Sequence, residues 1–209
     1  MSEVAKTGLI HLSHVRASYL YCFEPYTAKP SPQNPNPSPV FTCHFLMAPD
    51  HPDLKKVAAA IEAVGSAHQW KGGLTWEMAK AQIKGKDALC LHRGDVTKAG
   101  APEYAGLYFL SGNNKKRFTI IDGDRSPLTA ADGRPYSGCY VNAIVDIYAQ
   151  DNSFGKRINA TITGIQFLRH AEAFGGGAPP ADPNEFGVVA GSADQPAPAA
   201  SVDPLVGLV

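Results

Sequence analysis

The chain has 209 residues, of which 44% are hydrophobic, and its formal net charge is zero. That length allows one domain with an appendage or two small domains. No run approaches the roughly 18 consecutive apolar residues of a membrane-spanning helix, and the N-terminal sequence MSEVAKTGLIHLSH contains no signal-peptide core. We therefore expect a cytoplasmic protein with no membrane partner.

The zero net charge hides a division along the chain. All 19 lysines and arginines, but only 14 of the 19 acidic residues, precede residue 171. Residues 1–170 therefore carry a formal charge of +5, whereas residues 171–209 carry −5 and contain no cation. A basic body with an acidic appendage suggests an anionic partner that the appendage can mimic. We expect residues 1–170 to form the domain, and residues 171–209, rich in Gly, Ala and Pro, to form a disordered tail.

The first part of the chain predicts two strands separated by a loop. A long strand covers residues 8–25, and its apolar positions change parity near Arg16, which indicates a bulge. Six prolines from Pro25 to Pro39 exclude helix and sheet interior, so residues 26–39 are expected to form a loop. The sequence VFTCHFLMA, residues 40–48, predicts the second strand.

Two helices follow in the prediction. Asp50 can cap a helix that runs to Trp70, because Pro52 suits a first turn. Its apolar face is expected to carry Leu54, Val57, Ala58, Ile61 and Val64. A shorter helix, TWEMAKAQIKG, ends at Gly85. Trp70 and Trp76 either pack the helices onto the domain, which we favour, or join a binding surface.

The second half of the chain is dominated by strand patterns. Candidate strands lie at residues 88–94, 105–112 and 117–122, and a hairpin with its turn at residues 152–155 closes the domain. The apolar face of the first arm carries Cys139, Val141, Ala143, Val145, Ile147 and Ala149. That of the second arm carries Ile158, Ala160, Ile162, Gly164 and Leu168. Several short strands with one helical insertion fit a mainly β, Greek-key barrel.

The opposite face of this hairpin has two interpretations. Tyr140 and Tyr148 alternate with polar residues on the first arm, and Arg157 and Arg169 lie on the same face of the second arm. The face is either an ordinary solvent-exposed surface of cross-strand pairs or a platform on which bases stack beside phosphate-binding cations.

The four cysteines point to buried thiols. None forms a CxxC pair, and Cys22, Cys43, Cys90 and Cys139 all lie in apolar, strand-like runs. The alternative is a zinc site formed by Cys43, His44, Cys90 and His92, although their spacing fits no common zinc module.

Signals for catalysis are weak. The chain contains no phosphate-binding loop, dinucleotide fingerprint, GxSxG or HExxH motif. Asp122 and Asp124 lie in the sequence DGDRS, which is ordinary turn chemistry but could also hold a divalent metal. We therefore expect a non-enzymatic protein without a cofactor. The rival is a metal-dependent nuclease or repair enzyme that uses these acids or a histidine cluster.

Signals for nucleic-acid binding are stronger. Lys115, Lys116 and Arg117 follow an Asn-Asn turn and precede Phe118. A second loop combines Phe154 with Lys156 and Arg157. Lysine and arginine bind phosphates, and aromatic rings stack on any base. Tyr19, Tyr21 and Phe23 share one face of the first strand and either extend the platform or fill the core.

The closing segment YSGCYVNAIVDIYAQDNSFGKRINATITGIQFLRHAEAFGGG, residues 136–177, resembles the C-terminal signature of a family of phage and prophage proteins formerly described only as a domain of unknown function. Members are similar in fold to the OB-fold single-stranded-DNA-binding proteins of tailed phages. The resemblance covers residues 8–177. It implies an OB-fold barrel that binds single-stranded DNA during phage replication or recombination, and DNA-binding roles for Tyr140, Tyr148, Phe154, Lys156 and Arg157.

The resemblance also implies an acidic tail that competes with DNA or recruits replication and recombination proteins. Such tails commonly end in dense acid and an aromatic residue, whereas this one ends in DPLVGLV. We therefore hypothesise a sequence-tolerant, single-stranded-DNA-binding protein of phage DNA replication, recombination or repair in the bacterial cytoplasm. A phage structural or assembly protein is the alternative, and the sequence leaves a homo-oligomer open.

Overall fold

A computed structural model describes residues 8–30, 35–153 and 155–175 of the chain. The compact unit that contains the described residues is Met1–Gly176. The boundary at residue 170 stays a prediction. Phe154 and most of the predicted tail lie outside the described residues.

Five strands close into a barrel. The strands are β1 (Leu9–Tyr26), β2 (Val40–Met47), β3 (Leu91–Arg93), β4 (Tyr108–Asn114), β5 (Thr119–Ile121), β6 (Tyr140–Asn152) and β7 (Gly155–Arg169). Their order in the sheet is β3-β4-β2-β1-β6-β7-β5, and an additional pairing of β4 with β7 joins the two sides of the barrel. The predicted mainly β barrel is confirmed, with β3 and β5 as short strands outside the ring.

Gly112 allows the barrel to close. Its backbone lies so near β7 that an added Cβ would come within 2.8 Å of Ile162 Cγ1. β4 and β7 are paired at a single position, where Asn113 faces Thr161. Close approach without a side chain is a common reason for glycine in a strand.

The helices lie between β2 and β4. They are α1 (Pro52–Ala67), α2 (Trp76–Gly85) and the single turn α3 (Gly94–Thr97), followed by a 3-10 turn at Pro102–Tyr104. A second 3-10 turn, Ala130–Asp132, lies between β5 and β6. His51, rather than the predicted Asp50, caps α1, because its side chain accepts a hydrogen bond from the Asp53 N–H. Thr75 caps α2 in the same way.

The buried face of α1 differs from the prediction at one position. Ala58 is exposed, and Ala60 and Gly65 are buried in its place beside Val57 and Ile61. The ring planes of Trp70 and Trp76 stack with their centroids 5.8 Å apart, and both side chains are buried. The tryptophans therefore pack the helices, as favoured, and do not reach the surface.

β7 contains a bulge that the alternation pattern did not show. Ile144 pairs with Gly164 but the next residue, Val145, pairs with Ile162, so Thr163 is an extra residue in β7. Beyond it the buried residues are Ile165 and Phe167. The prediction that Gly164 and Leu168 share the core face with Ile162 is wrong. The insertion at Thr163 exchanges the two faces of the strand, and a second register shift, between Tyr140 and Val141 of β6, makes Leu168 itself an extra residue.

β1 carries three irregularities. Its register shifts between Leu12 and Val15 against β6, and between Ser18 and Tyr21 and again between Tyr21 and Tyr26 against β2. His14 and Tyr19 have positive φ angles of 55° and 47°. The predicted disturbance is confirmed, and it comprises two left-handed residues where one bulge was expected.

Candidate nucleic-acid interface

A row of aromatic rings crosses the outer face of β1, β2, β4 and β3. The Tyr19 and His44 ring centroids are 5.1 Å apart. His44 stacks on Phe109 at 4.7 Å, and Phe109 stacks on His92 at 4.9 Å. Each of the four strands supplies one ring. In the register of the sheet, His44 of β2 pairs with Ser111 of β4, and His92 of β3 pairs with Phe109 of β4. We call these four residues the aromatic row.

Tyr19 is the most exposed ring of the aromatic row, and His92 at the other end is only partly exposed. Tyr19 is 44% exposed, whereas Phe109 is 1% exposed. Burial lowers the pKa of His44 to about 3, and Lys98 and His92 add to this effect. His44 is therefore a neutral ring at physiological pH. The inner rings support Tyr19 from below, and Tyr19 presents the surface that a ligand can contact.

A buried hydroxyl network holds Tyr19 in this position. The Tyr104 hydroxyl donates to Ser18 Oγ at 2.9 Å and lies 2.7 Å from His44 Nδ1. Ser18 and Tyr104 are both buried. Since Ser18 immediately precedes the left-handed Tyr19, these bonds fix the bulge that turns Tyr19 onto the row. A left-handed non-glycine residue costs on the order of 1 kcal/mol, and such strain is concentrated at functional sites.

A cation completes this end of the site. The Lys98 ammonium lies 4.6 Å from the Tyr19 ring centroid. Lys98 directly follows α3, and Tyr104 lies six residues further along the same loop. Within this loop, the Tyr104 N–H donates to the Ala101 carbonyl. The arrangement offers a ring face for a base and an ammonium for a neighbouring phosphate.

A second pair of exposed rings lies where β1 and β2 leave the barrel. Tyr21 and Tyr26, 39% and 38% exposed, have ring centroids 4.9 Å apart. The Arg117 guanidinium donates to the Phe23 carbonyl at 2.8 Å, which brings the predicted cationic turn beside this pair. Lys115 and Lys116 are exposed in that turn. The sequence left open whether Tyr19, Tyr21 and Phe23 are exposed or fill the core. Tyr19 and Tyr21 are exposed, whereas Phe23 packs against the core.

The two cations of the hairpin turn differ in their surroundings. Lys156 Nζ lies 3.2 Å from Asp151 Oδ2, and this carboxylate oxygen also accepts the Lys71 N–H at 2.8 Å. Lys156 is thus engaged in joining the turn to the segment after α1. Arg157 is exposed and lines a cleft beside β4. Of the predicted pair, Arg157 is the side chain that is free to meet a phosphate in the described structure.

The tyrosines of the hairpin do not form one platform. Tyr140 is the first residue of β6 and Tyr148 lies eight residues further along it, about 27 Å away at a strand rise near 3.4 Å per residue. The Arg169 guanidinium lies 3.6 Å from the Tyr140 ring centroid, with Arg16 on the same ring at 5.9 Å. Tyr148 is 41% exposed and faces Asn159 of β7. Roles for these two tyrosines in DNA binding stay predictions.

A larger groove, of about 370 Å³, crosses β1, β6, β7 and β5. Leu12, Ala143 and Ile165 contribute to its walls, and no lysine or arginine lines it. Phosphate binding needs cations, so this groove is a poorer nucleic-acid site than the smaller, cation-bearing face around Tyr19.

The residues considered for metal chemistry have other partners. All four cysteines are free and buried, as favoured, and Cys43 faces the core while the adjacent His44 lies on the outer face. Asp122 binds Arg134 at 2.6 Å, and Asp124 accepts a hydrogen bond from the Ser126 N–H. Within the described ranges, no three His, Cys, Asp or Glu side chains are grouped to hold a metal ion. The zinc and nuclease alternatives therefore lack a site there.

Sequence reasoning named Tyr19 and Tyr21 as candidates, a prediction that stands, but did not name the residues that position them. His44 alternates with core residues on β2, a signal that was available but was assigned to zinc. Lys98 and Tyr104 lie in an irregular loop without a periodic pattern, so no sequence signal distinguishes them from other loop residues.

No helix in the described part of the chain is long and apolar enough to span a membrane.

Comparison with known proteins decides the family. The model of the family described as the Enterobacter phage Enc34 ssDNA-binding protein matches residues 9–196. The chain belongs to this family. Its members are DNA-binding proteins rather than enzymes, which confirms the prediction of a non-enzymatic phage protein. A protein of Acyrthosiphon pisum secondary endosymbiont phage 1, named putative protein p50, is 37% identical over 169 residues, covering 80% of this chain and 87% of p50.

Solved structures of the Enc34 protein share the fold. In complex with ssDNA, it superimposes with a TM-score of 0.67 at 25% identity, covering 84% of this chain and 97% of the Enc34 chain. A further structure of the same protein gives a TM-score of 0.64 at 25% identity, covering 88% and 96%. The OB-fold prediction is confirmed by these matches.

Proposed function

We propose that this chain binds single-stranded DNA on the outer face of β1, β2 and β4, with the first contacts at Tyr19, Tyr21 and Lys98. The observation that carries the proposal is the exposed Tyr19 ring, which is backed by the tilted His44 ring of the aromatic row and accompanied by the Lys98 ammonium. The Enc34 protein, a member of the same family, has been solved in complex with ssDNA.

The expected recognition is independent of base sequence. An open aromatic ring stacks on any base and contributes roughly 1–3 kcal/mol per base. Tyr19, Tyr21 and Tyr26 expose such rings. Lys98, Lys115, Lys116 and Arg117 then supply cations for the phosphates beside these bases. Affinity should fall as salt rises, because each neutralised phosphate releases counterions.

The biological setting follows from the family and from the charge division. We infer a role in phage DNA replication, recombination or repair in the cytoplasm of the bacterial host. The acidic residues of segment 171–209 would compete with DNA for the cationic face, or engage replication and recombination proteins. The charge difference of +5 against −5 supports the competition.

The test is a titration of a fluorescent oligo-dT of about 30 nucleotides, which exceeds the largest common OB-fold site size. Anisotropy measured at several salt concentrations should show tight binding at low salt and a steep negative dependence of affinity on salt. Absence of binding at low salt would refute the proposal and would direct attention to protein partners of phage assembly.

A further inference from the structure

The barrel has an open seam next to the aromatic row. β4 and β7 are paired where Asn113 faces Thr161, but nearer the start of β7 the Ile158 N–H donates to the Ala88 carbonyl at 3.1 Å instead. The strands diverge there, and a cleft of about 210 Å³ opens between β4, β7 and the segment before β3. We call this space the seam cleft.

The seam cleft has an apolar base and a polar rim. Ala88, Leu89, Cys90, Ile158 and Ala160 contribute apolar atoms, and the polar residues are Asp87, His92, Ser111, Asn113, Arg157 and Asn159. Donors and acceptors both occur on the rim, since amides, a hydroxyl and a carboxylate are present. A nucleobase has the same composition, with an apolar ring and an edge of mixed donors and acceptors.

Several polar groups of the cleft have no partner in the described structure. The side chains of Ser111 and Asn113 make no hydrogen bond to the described residues, and Asn113 is exposed. The Arg157 guanidinium at the rim likewise lacks an ion-pair partner there. Asp87, by contrast, has a partner, since its carboxylate lies 3.1 Å from His92 Nδ1; this exposed carboxylate places one negative charge on the rim, opposite in sign to Arg157.

The seam cleft continues the face on which DNA is proposed to bind. His92 belongs both to the cleft and to the aromatic row, which leads through Phe109 and His44 to Tyr19 in three steps of 4.7–5.1 Å. The cleft that Arg157 lines therefore lies at the His92 end of the aromatic row, and Tyr19 lies at the other end.

From this we propose that the seam cleft is a nucleotide subsite: one base enters the cleft and bonds to Asn113 and Ser111, and the adjoining phosphate binds Arg157. The proposal rests on the proposed single-stranded-DNA binding and adds a recessed base pocket to it. Its consequence is that the two ends of the interface differ, with open stacking at Tyr19 and hydrogen-bonded recognition of a base edge at the seam.

The experiment compares two labelled probes of equal length, oligo-dT and an abasic oligodeoxynucleotide that retains every phosphate. Asn113→Ala should weaken binding of oligo-dT by about three- to tenfold, as expected for lost hydrogen bonds, and leave the abasic probe unchanged. Arg157→Gln should weaken both probes by about tenfold and reduce the salt slope by about one. Lys55→Gln, an exposed cation on α1, is the matched control and should change neither.

Three results would overturn the subsite. These are an Asn113→Ala variant that binds oligo-dT like the wild type, one that loses affinity for both probes equally, or an Arg157→Gln variant with an unchanged salt slope. Because Asn113 and Arg157 are exposed, their replacement should not destabilise the fold. An unchanged melting curve of each variant verifies this. Failure of the proposed function is separate, because the wild-type protein would then bind neither probe at low salt.

Discussion

The ammonium of Lys98 lies 4.6 Å from the ring centroid of Tyr19, a contact between the loop after α3 and the bulge of β1. The ring is exposed on the barrel and is backed by His44. A stacking surface and a phosphate-binding group are thereby adjacent before any DNA arrives. The predictions on DNA binding begin from this pair.

Replacement of Tyr19 by alanine should weaken binding of oligo-dT by roughly 1–3 kcal/mol, because one stacked base is lost. Tyr148→Ala is a matched comparison, since the two tyrosines are 44% and 41% exposed on different faces. Anisotropy titrations of both variants identify the binding face. A loss confined to Tyr148→Ala would locate the DNA on the outer face of the β6–β7 hairpin instead.

Lys98→Gln should reduce the slope of log affinity against log salt by about one, because one phosphate contact disappears. Tyr19 should stay in position, since its support comes from Ser18, Tyr104 and His44. The salt titration of the variant measures the slope directly. An unchanged slope would mean that Lys98 only covers the Tyr19 ring and meets no phosphate.

Truncation after Gly175 should tighten DNA binding at low salt, and the gain should vanish as salt screens the tail. The cut is placed there because Phe174 lies 4.2 Å from the Arg16 guanidinium and its N–H donates to the Ser137 carbonyl at 2.9 Å. Removing residues 171–175 would expose the barrel as well as remove charge.

A full-length control isolates the charge effect of the tail. It replaces the acids beyond Gly175 by their amides, at Asp182, Glu185, Asp194 and Asp203. This variant should reproduce the tighter binding of the truncated chain in the same anisotropy titration. Equal affinities of all three proteins would contradict competition by the tail.

Asp53 should make stability depend on pH in the acid range. Burial by itself would raise the pKa of this carboxyl, but Lys56 and the Ser13 N–H outweigh it, and the pKa lies below its ordinary value of 3.8. A depressed pKa stabilises the fold above the unfolded-state value, and this stabilisation disappears as pH falls through the folded-state value. Urea unfolding should therefore show little change down to about pH 5 and a falling stability as the pH drops below the ordinary value toward the lower folded-state value.

Asp53→Asn should remove part of that pH dependence and cost about 1–3 kcal/mol at neutral pH, since Lys56 and Ser13 lose a charged, buried partner. Asp50→Asn is the control, because Asp50 is exposed and His51 caps α1. Equal urea midpoints for the two variants at neutral pH would show that the Asp53 bonds contribute nothing.

The cysteines should be unreactive in the folded protein. Burial raises the pKa of Cys22 and Cys90 to about 12 and that of Cys139 to about 11, and it also raises the pKa of Cys43. Since the thiolate is the reacting form, a disulfide reagent near pH 8 should label none of them until denaturant is added. Rapid labelling of the native protein would show that the barrel opens around these strands.

Alternation of apolar residues was enough to predict β2, the β6–β7 hairpin and the barrel class, because one face of each strand must be buried. Helix boundaries were less well determined. His51 replaces Asp50 as the cap because side-chain geometry, which composition does not contain, selects between neighbouring candidates. The bulge at Thr163 was missed for a related reason, since a one-residue insertion is defined only against the partner strand.

By itself, the sequence determined that the chain has a basic, strand-rich body with an acidic end, since charge and periodicity are local properties of the chain. The tertiary structure alone decided which cations remain free, because Lys156 is paired with Asp151 while its neighbour Arg157 is open. It also decided which aromatic rings are backed by others. Tyr19 and His44 are far apart in the chain, and they meet only because β1 and β2 pair and Tyr104 holds the bulge between them.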